Sequence, residues 1–141
     1  MESYKQPNYS HLTPCVIVND VQKSIDFYIK AFGFEFLEKH EREGVVSGAT
    51  LKLGEVSFMI FCKSLSSYAN TMPSGAAGMG SSIYVYCPNV DELYKNALKY
   101  GATSIVEPQD SFWGDRYCQV RDPDGYEWGL ATYQQQISQA R

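Results

Sequence analysis

The chain repeats itself, and that repeat limits its fold more than any other feature. Asp20-Val21 returns as Asn89-Val90 at an offset of 69, and Ala31-Phe32-Gly33 returns as Lys99-Tyr100-Gly101 at an offset of 68. Internal similarity over this length is hard to produce by chance and predicts one supersecondary unit used twice. In the first copy Asp20 is an N-cap residue. Val21, Ile25, Tyr28, Ile29 and Phe32 then fall on one helical face, and Gly33 stops the helix. In the second, Asn89 caps with Glu92 three residues on, Val90, Leu93, Tyr94, Ala97 and Leu98 keep helical spacing, and Gly101 ends it.

Strand signals surround each helix. Residues 12–18, 34–40, 45–53 and 56–63 read as strands in the first copy, and 81–87, 103–106, 116–121 and 126–133 in the second. The last two are joined by Asp122-Pro123-Asp124-Gly125, where Pro123 presets φ and Gly125 takes positive φ to close a hairpin. On the outgoing strand Trp128 and Leu130 share one face, and Glu127, Gly129 and Ala131 the other. The expected fold is therefore α+β: two βαβββ modules in tandem, 11–63 and 81–134, in a single domain spanning 1–141. Each module hides one sheet face under its helix, leaving the other faces to form a curved mixed sheet around a shared cavity, the concave kind of space that ligands favour. Residues 64–80, SLSSYANTMPSGAAGMG, have no helical or strand period and read as a linker or as a mobile cover over a site, and 135–141 as a tail.

Composition excludes several function classes. Twelve basic against 16 acidic side chains give a net charge of −4, with no basic stripe to hold nucleic acid or an anionic membrane. No run approaches the roughly 18 apolar residues of a membrane span, and the start, MESYKQPNYSH, has no apolar signal core, so the expected location is cytoplasmic. Cys15, Cys62, Cys87 and Cys118 lie 47, 25 and 31 residues apart, too far for a zinc knuckle or a redox pair, and read as reduced structural thiols, with Cys15 or Cys118 as the alternative reactive positions.

Against this scaffold, LTPCVIVNDVQKSIDFYIKAFGFEFLE and GDRYCQVRDPDGYEWGLATY resemble the first strand and helix and the closing hairpin of the vicinal oxygen chelate superfamily, which includes glyoxalase I, bleomycin-resistance proteins and extradiol dioxygenases. The resemblance covers nearly the whole chain and is greatest to the small subgroup named after a phosphonate-operon product, in which the threonine-proline pair and the GDR segment recur. It implies the tandem fold, and it implies a homodimer. It does not imply one activity, because the scaffold hosts isomerases, lyases, oxygenases and drug-binding proteins.

In the metal-using members that it resembles, one His or Glu ligand comes from the first and last strand of each half. Carried over from the helix starts and the final hairpin, those positions are Thr13, Met59, Ser82 and Gly129. Two hydroxyls, a thioether and a glycine offer no imidazole, thiolate or carboxylate to a divalent cation. The resemblance with this departure implies no metal and no other cofactor, and a protein that binds an unidentified small organic molecule, by sequestration in the manner of antibiotic-binding relatives.

The expected ligand-binding residues are Thr13, Cys15, Met59, Phe61, Ser82, Tyr84, Tyr86, Trp113, Arg116, Glu127 and Gly129. Ser82, Tyr84 and Tyr86 alternate with Ile83, Val85 and Cys87, so if the aliphatic set faces the helix the tyrosines line the cavity. Arg116 either projects into the cavity, its fork gripping a carboxylate or phosphate, or braces the hairpin with Asp115. The first alternative function is a metal-dependent lyase, isomerase or dioxygenase using non-standard ligands such as His11, His40 and Glu127. Tyr84, Glu127 and Cys15 are the candidates for acid–base or nucleophilic work without metal. The second alternative is a dimeric interaction protein with a filled interior.

Overall fold

The computed structural model describes residues 4–65 and 81–134. The chain divides into two compact units, Met1–Met72 and Pro73–Arg141. The spans read from sequence as linker and tail fall, apart from Ser64 and Leu65, outside the described residues.

In the first unit, β1 (Cys15–Val18), α1 (Val21–Phe32), β2 (Glu35–Arg42), β3 (Val45–Leu53) and β4 (Val56–Cys62) form a helix-covered sheet of order β1-β4-β3-β2. β1 runs parallel to β4, and the other pairs are antiparallel. The Asp20 carboxylate accepts from the Lys23 N–H at 3.1 Å and starts α1. Gly33, at φ 79°, ends it and donates its N–H to the Ile29 carbonyl. The buried face of α1 carries Val21, Ser24, Ile25, Phe27, Tyr28, Ala31 and Phe32. Tyr28 packs edge-on against Phe58 of β4 at 5.0 Å between centroids, and Phe34 against Phe58 at 5.3 Å. Phe58, Ile60 and Cys62 thus fill the helix side of β4, and Ser57, Met59 and Phe61 point to the other face.

The second unit repeats this with β5 (Ile83–Tyr86), α2 (Val90–Lys99), β6 (Thr103–Asp110), β7 (Asp115–Arg121) and β8 (Glu127–Tyr133), in the order β5-β8-β7-β6. Again the first strand is parallel to the last, and the remaining pairs are antiparallel. Asn89 caps α2 by accepting from the Glu92 N–H. Val85, Val90, Ala97, Cys118, Val120, Trp128 and Leu130 are buried in the core of this unit. The hairpin forms as expected, with Gly125 at φ 96° and its N–H bonded to the Asp122 carbonyl at 2.9 Å. Asp122 also holds the turn from within. Its Oδ1 accepts from the N–H groups of Asp124 and Tyr126, and its Oδ2 accepts from Trp128 Nε1 at 2.9 Å.

Three boundaries differ from expectation. β1 begins at Cys15 rather than residue 12, because Leu12 is exposed and Thr13 turns its hydroxyl onto Ser57 Oγ at 2.6 Å. β5 is confined to Ile83–Tyr86. β6 continues past Val106 to Asp110 despite Pro108, which an outer strand with irregular register tolerates because one missing N–H there breaks no central ladder.

Candidate functional site

The pairing of β5 and β7 with β8 decides which side chains share the uncovered face of the second sheet. Tyr84 lies opposite Gly129 and Tyr86 opposite Ala131, while Asp115, Tyr117 and Gln119 lie opposite Tyr133, Ala131 and Gly129. Directly opposed residues on neighbouring strands present their side chains to the same side. The partners of Val85 and Cys118 on β8 meet at Leu130, so Val85, Cys118 and Leu130 turn to the helix and the two tyrosines turn away from it.

What the tyrosines meet there is Asp115. Its Oδ2 accepts from Tyr84 Oη at 2.8 Å, from Tyr86 Oη at 2.8 Å and from Trp113 Nε1 at 3.0 Å. Ser111 fixes the backbone of the same residue. The Ser111 N–H and Oγ both donate to the Asp115 carbonyl, and the Asp115 N–H donates back to Ser111 Oγ. Asp115 is 2% exposed, yet its three donors are all exposed: Tyr84 43%, Tyr86 61% and Trp113 47%. The rings form an aromatic patch, with Tyr84 edge-on to Tyr86 at 5.5 Å, Trp113 against Tyr117 at 5.1 Å and Phe112 edge-on to Trp113 at 5.1 Å.

Partial burial and then the bond to Asp115 push the Tyr84 phenol up from 10 to about 12. The bond to Asp115 is the leading cause that raises Tyr86 as well. Ionising either phenol would set a phenolate against a carboxylate, so both remain protonated donors at neutral pH.

The positions that correspond to metal ligands in the resembled family do not fit a metal. In the second unit, a Cβ added to Gly129 would come within 2.6 Å of Tyr84 Cδ1 and 3.1 Å of Cε1, so the ring already fills the space a ligand side chain would need. Ser82 stands exposed before β5. In the first unit, the Thr13 hydroxyl is held by Ser57 Oγ at 2.6 Å and donates to the Ser10 carbonyl. Met59 offers only a thioether, beside Cys15 in the parallel pairing. Among the described residues no three His, Cys, Asp or Glu side chains are grouped as metal ligands.

Phe61 shares the uncovered face of the first sheet with Met59 and, across β1, Ile17 and the exposed Cys15. The Arg116 guanidinium turns to the helix side, bonding Asp91 of α2 through Nε at 2.9 Å and Nη2 at 3.1 Å, and Asp110 through Nη1 at 3.2 Å, an arrangement in keeping with the brace, though with these partners rather than Asp115. Those carboxylates raise its already high pKa, and in return it lowers that of Asp91. The fork is thus occupied on the face away from the tyrosines.

Glu127 does lie on the tyrosine side, where it pairs with Arg121 at 2.9 Å. His11 Nε2 is 3.3 Å from Tyr4 Oη, and His40 is exposed near Glu38. All four cysteines are free thiols. Burial pushes Cys118 up to about 12 and raises Cys87, which keeps both protonated and unreactive at neutral pH. An open depression of about 410 Å³ lies beside the start of α2, lined by Cys87, Pro88, Asn89, Glu92, Leu93 and Asn96, and takes in none of the expected site residues.

The hub of the cluster, Asp115, was not among the expected ligand-binding residues. The signal was available: Cys118 and Val120 are the apolar set of β7, which assigns Arg116 to the helix side and Asp115 to the other.

Residues 8–130 match the sequence profile of the Glyoxalase/Bleomycin resistance protein/Dioxygenase superfamily. An uncharacterized protein of Mycobacterium bovis is 31% identical over 122 residues, covering 84% of this chain and 80% of its own length. Among solved structures, TioX from Micromonospora sp. ML1 superposes with a TM-score of 0.70 at 25% identity, over 88% of this chain and 98% of that one. A superfamily member from Sphaerobacter thermophilus superposes at 0.67 with 25% identity, over 85% and 94%. No helix of the described residues is long and apolar enough to cross a membrane.

Proposed function

Given that this chain belongs to the Glyoxalase/Bleomycin resistance protein/Dioxygenase superfamily, we propose that it is a metal-free member that binds a small organic molecule on the uncovered sheet face of its second unit. One observation carries the reading: the Tyr84 ring occupies the space over Gly129 and is tied there by its hydroxyl to Asp115. The position that would present a metal ligand instead presents an aromatic wall. Tyr86 and Trp113 extend that wall, and all three polar tips converge on one carboxylate oxygen, which fixes the rings in place before any ligand arrives. A preorganised aromatic surface with a few fixed polar groups suits flat or partly apolar molecules, since little side-chain entropy remains to be lost on binding. Sequestration without turnover needs nothing further from the chain.

Two measurements test this. Elemental analysis of protein purified without chelator should find well under one zinc, nickel, iron or manganese per chain; a tightly held stoichiometric metal overturns the reading. A thermal-shift screen of metabolites and aromatic antibiotics should then yield stabilising compounds whose effect is lost in Tyr84→Ala. Compounds that stabilise the variant equally would remove this face from the binding site.

A further inference from the structure

Asp115 is almost fully buried, and its hydrogen bonds are lopsided. Three neutral donors converge on Oδ2, while Oδ1 receives no donor among the described residues. Among the described residues no ion pair reaches it. Arg116, its chain neighbour, is spent on Asp91 and Asp110 across the sheet, and Arg121 on Glu127. A carboxylate largely buried in this way, with neutral donors on one oxygen and none on the other, keeps acceptor capacity for a donor that reaches the face, because buried charge is ordinarily paired.

The neighbours of that oxygen narrow what completes it. Tyr84 and Tyr86 each spend their single O–H on Oδ2, so their remaining lone pairs can only accept. Oδ1 and the two phenolic oxygens therefore offer acceptors to a group with several N–H donors. The tyrosine and tryptophan rings add quadrupoles that favour a cation. The wider field has the same sign: residues 81–134 hold eight acidic and four basic side chains, a balance of −4, equal to the net charge of the whole chain. An anionic ligand would meet this oxygen with repulsion, and a neutral one would leave its charge uncompensated.

We infer that the molecule bound on this face is an organic amine in its protonated form, with an aromatic or apolar body on Tyr84, Tyr86 and Trp113 and its ammonium on Asp115 Oδ1. The inference rests on the binding role proposed above and adds the charge of the ligand. An ammonium donates one N–H to Oδ1 and the others to the phenolic oxygens, which remain hydrogen-bonded to Oδ2 throughout.

The test uses three probes of nearly equal size: phenethylammonium, phenethyl alcohol and phenylacetate. Each is titrated at neutral pH into the full chain carrying isotope-labelled tyrosine and tryptophan, and the ring signals of Tyr84, Tyr86 and Trp113 are followed by NMR. Phenethylammonium should bind at least tenfold more tightly than the alcohol, and phenylacetate more weakly than either. Asp115→Asn should abolish the preference for the cation. Tyr86→Phe, which keeps the ring should the first variant fail to fold, should weaken the cation several-fold more than the alcohol. If the alcohol or phenylacetate shifts the same signals at equal or lower concentration than the cation, charge recognition is wrong while binding on this face stands. If none of the three moves these signals at millimolar concentration, both the ligand class and the binding role fall.

Discussion

Tyr84 stands directly across from Gly129 in the parallel pairing of β5 with β8, with its ring over the glycine where a Cβ would approach to 2.6 Å. The two residues are therefore coupled, and each explains the other. A side chain at 129 would unseat the ring from Asp115, and a small residue at 84 would leave Gly129 under open space. Gly129→Ala should cost about 1–3 kcal/mol, as overpacking does elsewhere. In a Tyr84→Ala background the same change should cost much less, and urea denaturation of the four proteins in the cycle measures the difference. Equal costs in both backgrounds would mean that the ring does not occupy this space in solution.

The phenols should titrate late. Tyr84 is raised from 10 to about 12, so the folded state favours its neutral form. That preference is fully present below pH 10 and is lost as pH rises from 10 through about 12, so stability falls in that alkaline window. In a titration of ring-labelled tyrosine followed by NMR, Tyr84 and Tyr86 should ionise after the surface tyrosines, and Asp115→Asn should bring both earlier. A Tyr84 signal that titrates near 10 in the parent protein would contradict the bond to Asp115.

Arg116 should behave as a brace. Its side chain is 30% exposed, and its partners Asp91 and Asp110 are 45% and 51% exposed, so solvent screens the pairs. Arg116→Met should cost about 0–1 kcal/mol in low salt, and less in high salt, by chemical denaturation. Any ligand found for the tyrosine face should bind the variant with unchanged affinity. A large loss of affinity would place the guanidinium at the ligand after all.

Asp122 should matter far more than its position in a surface turn suggests. It is 4% exposed and accepts from two backbone N–H groups and from the indole of Trp128, itself 1% exposed. Asp122→Ala removes the acceptor that these three N–H groups share and should cost about 3 kcal/mol by urea denaturation. A loss below about 1 kcal/mol would show that water replaces the carboxylate easily.

These residues also show how far the sequence could be read. Periodicity and capping located both helices, because Asp20, Asn89 and Gly33 act within a few residues of themselves. Strand alternation on β8 placed Trp128 and Leu130 opposite Gly129, since the apolar set there is unambiguous. Strand ends were less legible, as Thr13 shows: its hydroxyl is claimed by Ser57, 44 residues away, and no local signal announces that. The hub of the site was missed for a related reason. Asp115 gathers Tyr84 and Tyr86 from about 30 residues upstream, and a buried aspartate beside an arginine in sequence reads as its ion-pair partner until the strand is given a phase. Cys118 and Val120 supply that phase, sending Arg116 and Asp115 to opposite faces.

Pro108 sits on β6, the outer strand of the second sheet, where register slips between Ser104 and Val106 and again between Val106 and Gln109. Outer strands invite foreign chains to add on, because their spare N–H and C=O groups form a ready template. Here one donor is deleted and the spacing of the rest is uneven, with Glu107 and Asp110 adding negative charge along the same margin. That rim is thereby a poor seed for fibrils, and the second sheet is guarded on this side against growth by strand addition.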